Sequence, residues 1–548
     1  MAPQPEKVTQ SHPLSADEID SEKVEMGLEV IEDVTNSPSK FDSDDDYIID
    51  PIEEKKLLRK LDWILLPMFT AIYCFNFIDR TSIGNARVAG LEEDLGMHGF
   101  NLNVALTIFY IFYNLADIPS NLALKHFGSN WLAFLVITFG LVSLFSAFMH
   151  NYAGLIASRV FLGLAEGGTL VICVGVYHCK SSSHSSFVYG PELTWDPRKY
   201  YRRHELVLRI GIFFGVSPSL AGAFGGLLAS GLLRIKDFGI ITTWRKIFLI
   251  EGIATTLFGI LLIFILPEDP TKSKMLNEAE RRLALARIDA DQVIKNKGKK
   301  EKTTWSLIWR SFNFITIACT LCYMMLNMSF QGLSLFLPSV INSLGKYSGY
   351  ILYVTRIELT KESAVIEVQL RTVPPYIASA VWVILNAYIS ARIRMRFLPL
   401  LYNLALVAAG YAISISTKHS QARYAACFLM LMGASVGGPM IMTWGTDNAS
   451  PDTMRAVVTA AIPGIGALGA IMAVWTYLPT DAPDYRKGNT ANLVSICSIS
   501  CIVVITAVYI KWENAKRDRG DRDARLDGVS PEKETQMGYR HPRFRYQI

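Results

Sequence analysis

Runs of about 20 apolar residues recur along the whole chain, with Trp131 to Met149, Phe248 to Leu266 and Leu493 to Ile510 among the cleanest. At 1.5 Å of rise per residue, a helix of about that length crosses roughly 30 Å of hydrocarbon, so each run is long enough to span a bilayer. Hydrocarbon offers the backbone no hydrogen-bond partners, and such runs therefore fold as helices, whose amides are satisfied within the segment. A length of 548 residues would allow roughly three or four soluble domains. The composition, 51% hydrophobic and only 19% charged, argues instead for one polytopic membrane protein.

Counted between charged or Pro/Gly-rich breaks, the runs make roughly twelve expected spans. The first six lie near Asp62 to Arg80, Asn103 to Leu124, Trp131 to Met149, Tyr152 to His178, Val207 to Leu233 and Ile247 to Leu266. The second six lie near Phe312 to Ser343, Val373 to Ser390, Leu398 to Thr417, Ala422 to Gly445, Ala456 to Leu478 and Asn492 to Ile510. Between the sets, Pro267 to Arg310 is polar, with an amphipathic helix expected around Asn277 to Gln292 and a lysine-rich stretch at Lys295 to Lys302. Basic clusters at Lys55 to Lys60, Arg198 to Arg203, Arg392 to Arg396 and after Lys511 fall on the same side as that segment, which the positive-inside rule makes cytosolic. Arg234, Lys236, Arg245 and Lys246 fall on the opposite side and run against the rule.

The expected fold class is thus an all-α membrane protein of twelve transmembrane helices in two six-helix halves. Six plus six around a long loop matches two parallel halves with a site at the midplane between them. Residues 1–54 are expected as a disordered acidic cytosolic tail, 55–266 as the first half, 267–311 as a cytosolic loop, 312–511 as the second half and 512–548 as a cytosolic tail.

Several function classes are excluded. The net charge of +5 is modest and the basic residues flank apolar runs without interleaved aromatics, so nucleic acid is not an expected partner. Eight cysteines, mostly inside apolar runs, lack the spacing of a zinc site or a disulfide framework. His98, His126, His150, His178 and His184 show no metal-ligand spacing either, and neither metal nor cofactor is expected. No nucleophile, base or metal constellation marks an enzyme. Met1 to about Asp50 has no apolar core of a cleaved secretory signal.

A more specific likeness lies in several short motifs. They are Asn76-Phe77-Ile78-Asp79-Arg80-Thr81-Ser82-Ile83-Gly84-Asn85-Ala86, Pro119-Ser120-Asn121, Arg159 to Gly168, Tyr201-Arg202-Arg203-His204-Glu205, Ala221 to Gly226, Pro267-Glu268-Asp269-Pro270 and Thr372-Val373-Pro374-Pro375-Tyr376. With them the chain, over about Glu54 to Lys511, resembles the major facilitator superfamily, in particular its anion:cation symporter group and the fungal permeases for allantoate, nicotinate and related carboxylates. The resemblance implies a monomeric, proton-coupled carrier of a small organic anion at the plasma membrane, with both termini cytosolic. A non-transporting sensor on the same fold, or an anion uniporter or exchanger, are the alternatives.

Two stretches depart from the family pattern. Cys179 to Arg198, Ser/His-rich, stands where the family has a short loop, and Lys346 to Ala364 where it has a tight turn. Both read as insertions, and Cys179-Lys180-Ser181 and Gly345-Lys346-Tyr347 can each be encoded through the splice donor GTAAGT. Read as retained introns, they are expected to be missing from mature message; transcripts running through both, with no spliced form, would overturn that reading.

Charged residues inside the spans are the candidates for function, since each costs roughly 2.5 to 3.5 kcal/mol at the bilayer centre on insertion scales. Asp79 and Arg80 are adjacent, so their side chains diverge by about 100° around the helix. They read either as snorkelling markers of the span end or as functional groups. Arg159 and Glu166, seven apart, share one helix face but stand about 10 Å apart along the axis, too far to bond each other. They read either as structural ion pairs to other helices or as a site, where the guanidinium fork suits a carboxylate and a desolvated carboxyl can accept a proton. The resemblance implies the second: Arg80 and Arg159 for the substrate, Asp79 and Glu166 for proton coupling. With all four ionised the site is about neutral, an added anion is costly in a low dielectric, and a proton removes that cost. In the second half, Tyr323, Asn327 and Gln331, four residues apart in turn, read equally as substrate contacts and as helix-helix glue. Asn403, Trp444 and Asn448 are weaker candidates. The glycines of 222–226, 433–438 and 464–469 read as close-packing surfaces, since no strand precedes them and no Lys-Ser/Thr follows.

Overall fold

The first helix begins where local chemistry says it should. Asp50 accepts a hydrogen bond from the Ile52 amide at 2.9 Å, Pro51 opens the helix, and Glu53 and Glu54 occupy its first turn. The helix, α1, then runs without interruption from Pro51 to Val88. That is well beyond the expected Asp62 to Arg80 at both ends. Before Asp62, Leu57 and Leu61 continue the buried stripe of Leu65 at four-residue spacing, while after Arg80 the polar stretch Thr81 to Asn85 is covered by neighbouring helices. Hydropathy registers neither kind of burial.

In this computed structural model the described residues are 50–127, 130–167, 169, 203–237, 239–266, 275–284, 286–287, 305–344, 361–393, 395–450, 452–526 and 537–548. All of them belong to a single body. The first half comprises α1, α2 (Asn101–Phe127), α3 (Asn130–Ser146), α4 (Tyr152–Glu166), α5 (Arg203–Leu232) and α6 (Thr243–Ile265). The second comprises α7 (Phe314–Ser343), α8 (Lys361–Ile393), α9 (Phe397–Ser416), α10 (Ser420–Asp447), α11 (Asp452–Gly466, resuming after Ala467 as Leu468–Val474) and α12 (Arg486–Asp518). Among the described residues nine helices are long and apolar enough to cross a membrane, and α3 is a shorter apolar one. Large apolar side chains such as Leu257, Phe264, Val494 and Val508 lie exposed on the outside of the bundle, as a lipid-facing surface requires. The expected insertion at 179–198 lies outside the described residues. Of the one at 346–364, residues 361–364 form the opening turn of α8, so that helix starts well before the expected Val373; the rest lies outside.

Within the first half α3 packs on α6, α2 on α4, and α1 on α5 and α6; within the second, α9 and α7 each pack on α10 and α12. The halves meet where α1 touches α7, α5 touches α8 and α10, and Leu468–Val474 touches α2. The end at which α1 starts and α12 finishes is called the near end below, and the opposite end the far end.

At the far end the halves are bonded together. Asn103 Nδ2 donates to the Val474 carbonyl at 2.6 Å, Trp475 Nε1 to Thr107 Oγ1 at 3.1 Å, and Gln369 Nε2 to the Asn85 carbonyl at 3.2 Å. Two of the four cations that run against the positive-inside rule are engaged here. Arg245 donates to Asp94 at 2.8 Å, beside the Trp244 indole at 3.0 Å, and Lys246 holds Asp237 and the Ile235 carbonyl. The hydrogen bond from Lys246 keeps the Asp237 carboxyl below its ordinary range.

At the near end, Arg209 grips Asp62 with two nitrogens, Arg287 donates to Glu54 at 2.7 Å and Lys60 to Glu280 at 2.6 Å, tying the central segment to α1. Residues 278–284 of that segment are helical, part of the expected 277–292. Trp444 Nε1 and Asn448 Nδ2 both donate to the Gln547 carbonyl, at 3.1 and 3.0 Å, and Asn403 bonds Asn386 and Trp382. All three weaker candidates thus take part in packing contacts, the first two by holding residues 537–548 on α10.

The α1–α7 contact depends on the absence of a side chain at Gly84. A Cβ there would stand 2.3 Å from the Leu335 carbonyl oxygen, which is backbone and cannot swing aside. Gly84→Val should therefore reach the membrane yet keep the far end from closing. A cysteine placed at Asn103 is expected to react several-fold faster with a water-soluble thiol reagent in that variant than in its parent; equal rates would show that α1 and α7 separate at no cost.

Candidate functional site

Five ionisable groups are buried together in the first half. Asp79 is 1% exposed, Arg80 6%, Arg159 2%, Glu166 0% and Glu251 2%. Their positions follow from helix packing. Gly163, on the face of α4 between Arg159 and Glu166, lies against α2 so closely that a Cβ would be 2.6 Å from the Phe109 carbonyl oxygen. That approach lets the charged face of α4 reach α1.

Arg80 Nε donates to Glu166 Oε2 at 2.7 Å, and its guanidinium lies over the Tyr113 ring at 4.3 Å and the Phe109 ring at 5.8 Å. The salt bridge, the stacked tyrosine and the walls of α2 replace the water this cation has lost. Arg159 is held differently: its guanidinium lies over Phe248 on α6 at 5.7 Å, and neither Nε nor Nη2 has a hydrogen-bond partner among the described residues. Asp79 accepts from Ser143 Oγ at 2.8 Å through Oδ1, and its Oδ2 has no partner there. Glu251 lies with Oε2 against Ser82 Oγ, and its Oε1 has none.

Of the seven residues singled out by sequence, the structure thus gathers Asp79, Arg80, Arg159 and Glu166 into one cluster. As expected from their spacing, neither sequence pair bonds internally: Arg80 goes to Glu166 on α4, while Asp79 turns to Ser143 on α3. Tyr323, Asn327 and Gln331 line a separate cavity between the halves, with Tyr73, Phe214 and Phe330. That cavity holds about 40 Å³ of space for water centres, room for a few water molecules. Tyr323 lies within electrostatic reach of Tyr113 and Arg80 and so connects the cavity to the cluster. Asn327 Nδ2 donates to the Gly466 carbonyl at 3.1 Å, so this residue both lines the cavity and ties α7 to α11.

Ser82, Tyr113, Ser143 and Glu251 were not picked out by the sequence reading. Glu251 carried a usable signal, as the lone acid of the apolar run Ile247 to Leu266. The two serines and the tyrosine carried none, because hydroxyl-bearing residues are common in membrane helices and their role here depends on which helix they face.

Comparison with known proteins places this arrangement. The profile of the Major Facilitator Superfamily matches residues 69–474. An uncharacterized transporter of Schizosaccharomyces pombe is 30% identical over 508 residues, 91% of each chain. The high-affinity nicotinic acid transporter of Saccharomyces cerevisiae is 27% identical over 509 residues, 92% of this chain and 87% of that one. Among solved structures, a bacterial homolog of the human lysosomal transporter Spinster, in an inward-facing and occupied conformation, aligns with a TM-score of 0.55 at 16% identity over 84% of this chain and 97% of that one. A proton:xylose symporter aligns with a TM-score of 0.56 at 14% identity over 82% and 94%. The two structures share the fold. The chain belongs to the Major Facilitator Superfamily, and it is a multi-pass membrane transporter.

Removing one member of the buried Arg80–Glu166 pair strands the other. Glu166→Ala should cost about 3 to 5 kcal/mol of stability in detergent. The double variant Arg80→Gln, Glu166→Gln is expected to recover most of it, as measured by thermal unfolding. A single variant as stable as its parent would mean that the pair does not form.

Proposed function

We propose that this transporter imports a small organic anion, a carboxylate of the nicotinate or allantoate type, by proton symport. The observation that carries the reading is Arg159: a guanidinium buried at mid-helix, with two nitrogens unbonded among the described residues and its paired neighbour Arg80 already committed to Glu166. A planar fork in that condition suits a carboxylate, which accepts two parallel hydrogen bonds. The relative that transports nicotinic acid supports the substrate class, since nicotinate is an aromatic carboxylate and the cavity beside the cluster offers aromatic faces and amides.

Coupling follows from charge. An anion reaching Arg159 adds a negative charge to a cluster that contains Glu166 and Asp79. A proton on Glu166 removes one and frees the Arg80 guanidinium, so proton and anion favour each other's binding. The cavity lies between halves whose far ends are bonded together, and a rocking motion that opens one end as the other closes would expose it in turn, with the cluster of the first half at its side. The basic near end faces the cytosol in this reading, with both termini there, at the plasma membrane, and one chain forms the working unit.

Uptake of labelled nicotinate and allantoate by cells lacking their own permeases tests this. Acidifying the medium should raise uptake, and Glu166→Gln should weaken that dependence. Arg159→Ala should weaken anion binding by at least about 30-fold, equivalent to about 2 kcal/mol for a desolvated charge pair. Intact anion accumulation in Arg159→Ala would sink the reading, and accumulation indifferent to pH would point to uniport or exchange.

A further inference from the structure

Glu251 belongs to none of the roles assigned above. Its Oε2 touches Ser82 Oγ, and that same oxygen lies 2.7 Å from the Ile78 carbonyl oxygen, one turn back on α1. A serine hydroxyl carries one hydrogen, and a backbone carbonyl has none to offer. The one hydrogen of Ser82 serves either Ile78 or Glu251; where it goes to Ile78, the Glu251 carboxyl O–H supplies the hydrogen of the other contact, and the charges around Glu251 favour that arrangement. Ser143 contacts Asp79 Oδ1 at an ordinary 2.8 Å.

The surrounding charges agree. On α1 Glu251 faces Asp79 and Ser82; α3 carries no charged residue. On α5 no charged residue lies between Phe213 and Leu232. On α4 Arg159 lies over Phe248, one turn from Glu251, and on α6 itself Arg245 and Lys246 are held by Asp94 and Asp237. Arg80 is bonded to Glu166, and Arg159 lies within electrostatic reach of both Glu166 and Asp79. An ionised Glu251 would be a fifth charge, buried with no cation against it among the described residues, and such a charge is neutralised by its own proton.

We propose that Glu251 is a further proton site of this transporter: it is protonated in the anion-free cluster, and its ionisation turns the surroundings of Arg159 net negative and expels anions as the medium becomes alkaline. The second half of this statement rests on the anion-transport reading above; the first half does not.

The test uses the full-length protein reconstituted in lipid. In infrared spectra without any solute, the protonated-carboxyl C=O band present near neutral pH should diminish in Glu251→Gln and shift in Ser82→Ala, where the O–H has lost its acceptor. A band unchanged in both overturns the proposal, and if Glu251→Gln does not fold, an unshifted band in Ser82→Ala alone overturns it. In nicotinate binding, the wild type should lose about tenfold in affinity per pH unit above the titration of Glu251, and Glu251→Gln should flatten that fall. A fall that keeps its full slope in the variant overturns the coupling to anion binding. Wild-type protein that never binds nicotinate counts against the substrate reading, while the infrared band still decides the protonation of Glu251.

Discussion

A charge within a membrane helix must meet an opposite charge or a set of dipoles, because the lipid supplies neither. Most of what is distinctive about this molecule follows from meeting that requirement for Arg80. The guanidinium takes its counter-charge from α4 and its stacking surface from α2, so one residue of α1 draws two other helices together. Gly163 permits the approach and Phe109 lies on both sides of the argument, its carbonyl against the glycine and its ring beside the arginine. The first half is thus organised around a polar centre that its apolar packing encloses.

The second half is built on hydroxyls and amides. Ser329 and Tyr411 share a hydrogen bond at 2.8 Å, Ser379 donates to Ser435 at 2.7 Å, and Asn489 Nδ2 to Ser414 Oγ at 3.0 Å. Neutral networks of this kind fix helix positions without creating a field. The five-member charged cluster thus belongs to the first half, while the second contributes Tyr323, Asn327 and Gln331 to the cavity wall.

Much of this was legible in the chain. Apolar run length and charge placement sufficed for an all-helical polytopic protein, since hydrocarbon leaves so few alternatives. The motif from Asn76 to Ala86 and that from Arg159 to Gly168 pointed to the residues that gather in space. Partner choice was not legible. Nothing in the spacing of Arg159 and Glu166 says that Glu166 reaches Arg80 on another helix, or that Asp79 faces Ser143, because helix rotation is decided by contacts among distant segments such as Gly163 against Phe109. Helix ends were misjudged for a related reason: the polar turn from Thr81 to Asn85 is buried by other helices, a property of the assembled bundle that no window of residues contains. Glu251 was readable by the same rule that selected Arg159, as the lone acid of its apolar run.

The interruption of α11 at Ala467 has a mechanical consequence. The carbonyl of Gly466, at the break, is held by Asn327 from the cavity wall, and the short piece that follows, Leu468–Val474, ends in the carbonyl bonded by Asn103 across the far-end seam. Between these two anchors lie only seven residues, packed on α7 and α2. Whatever competes for the Asn327 amide thereby loosens one end of a latch whose other end keeps the two halves shut.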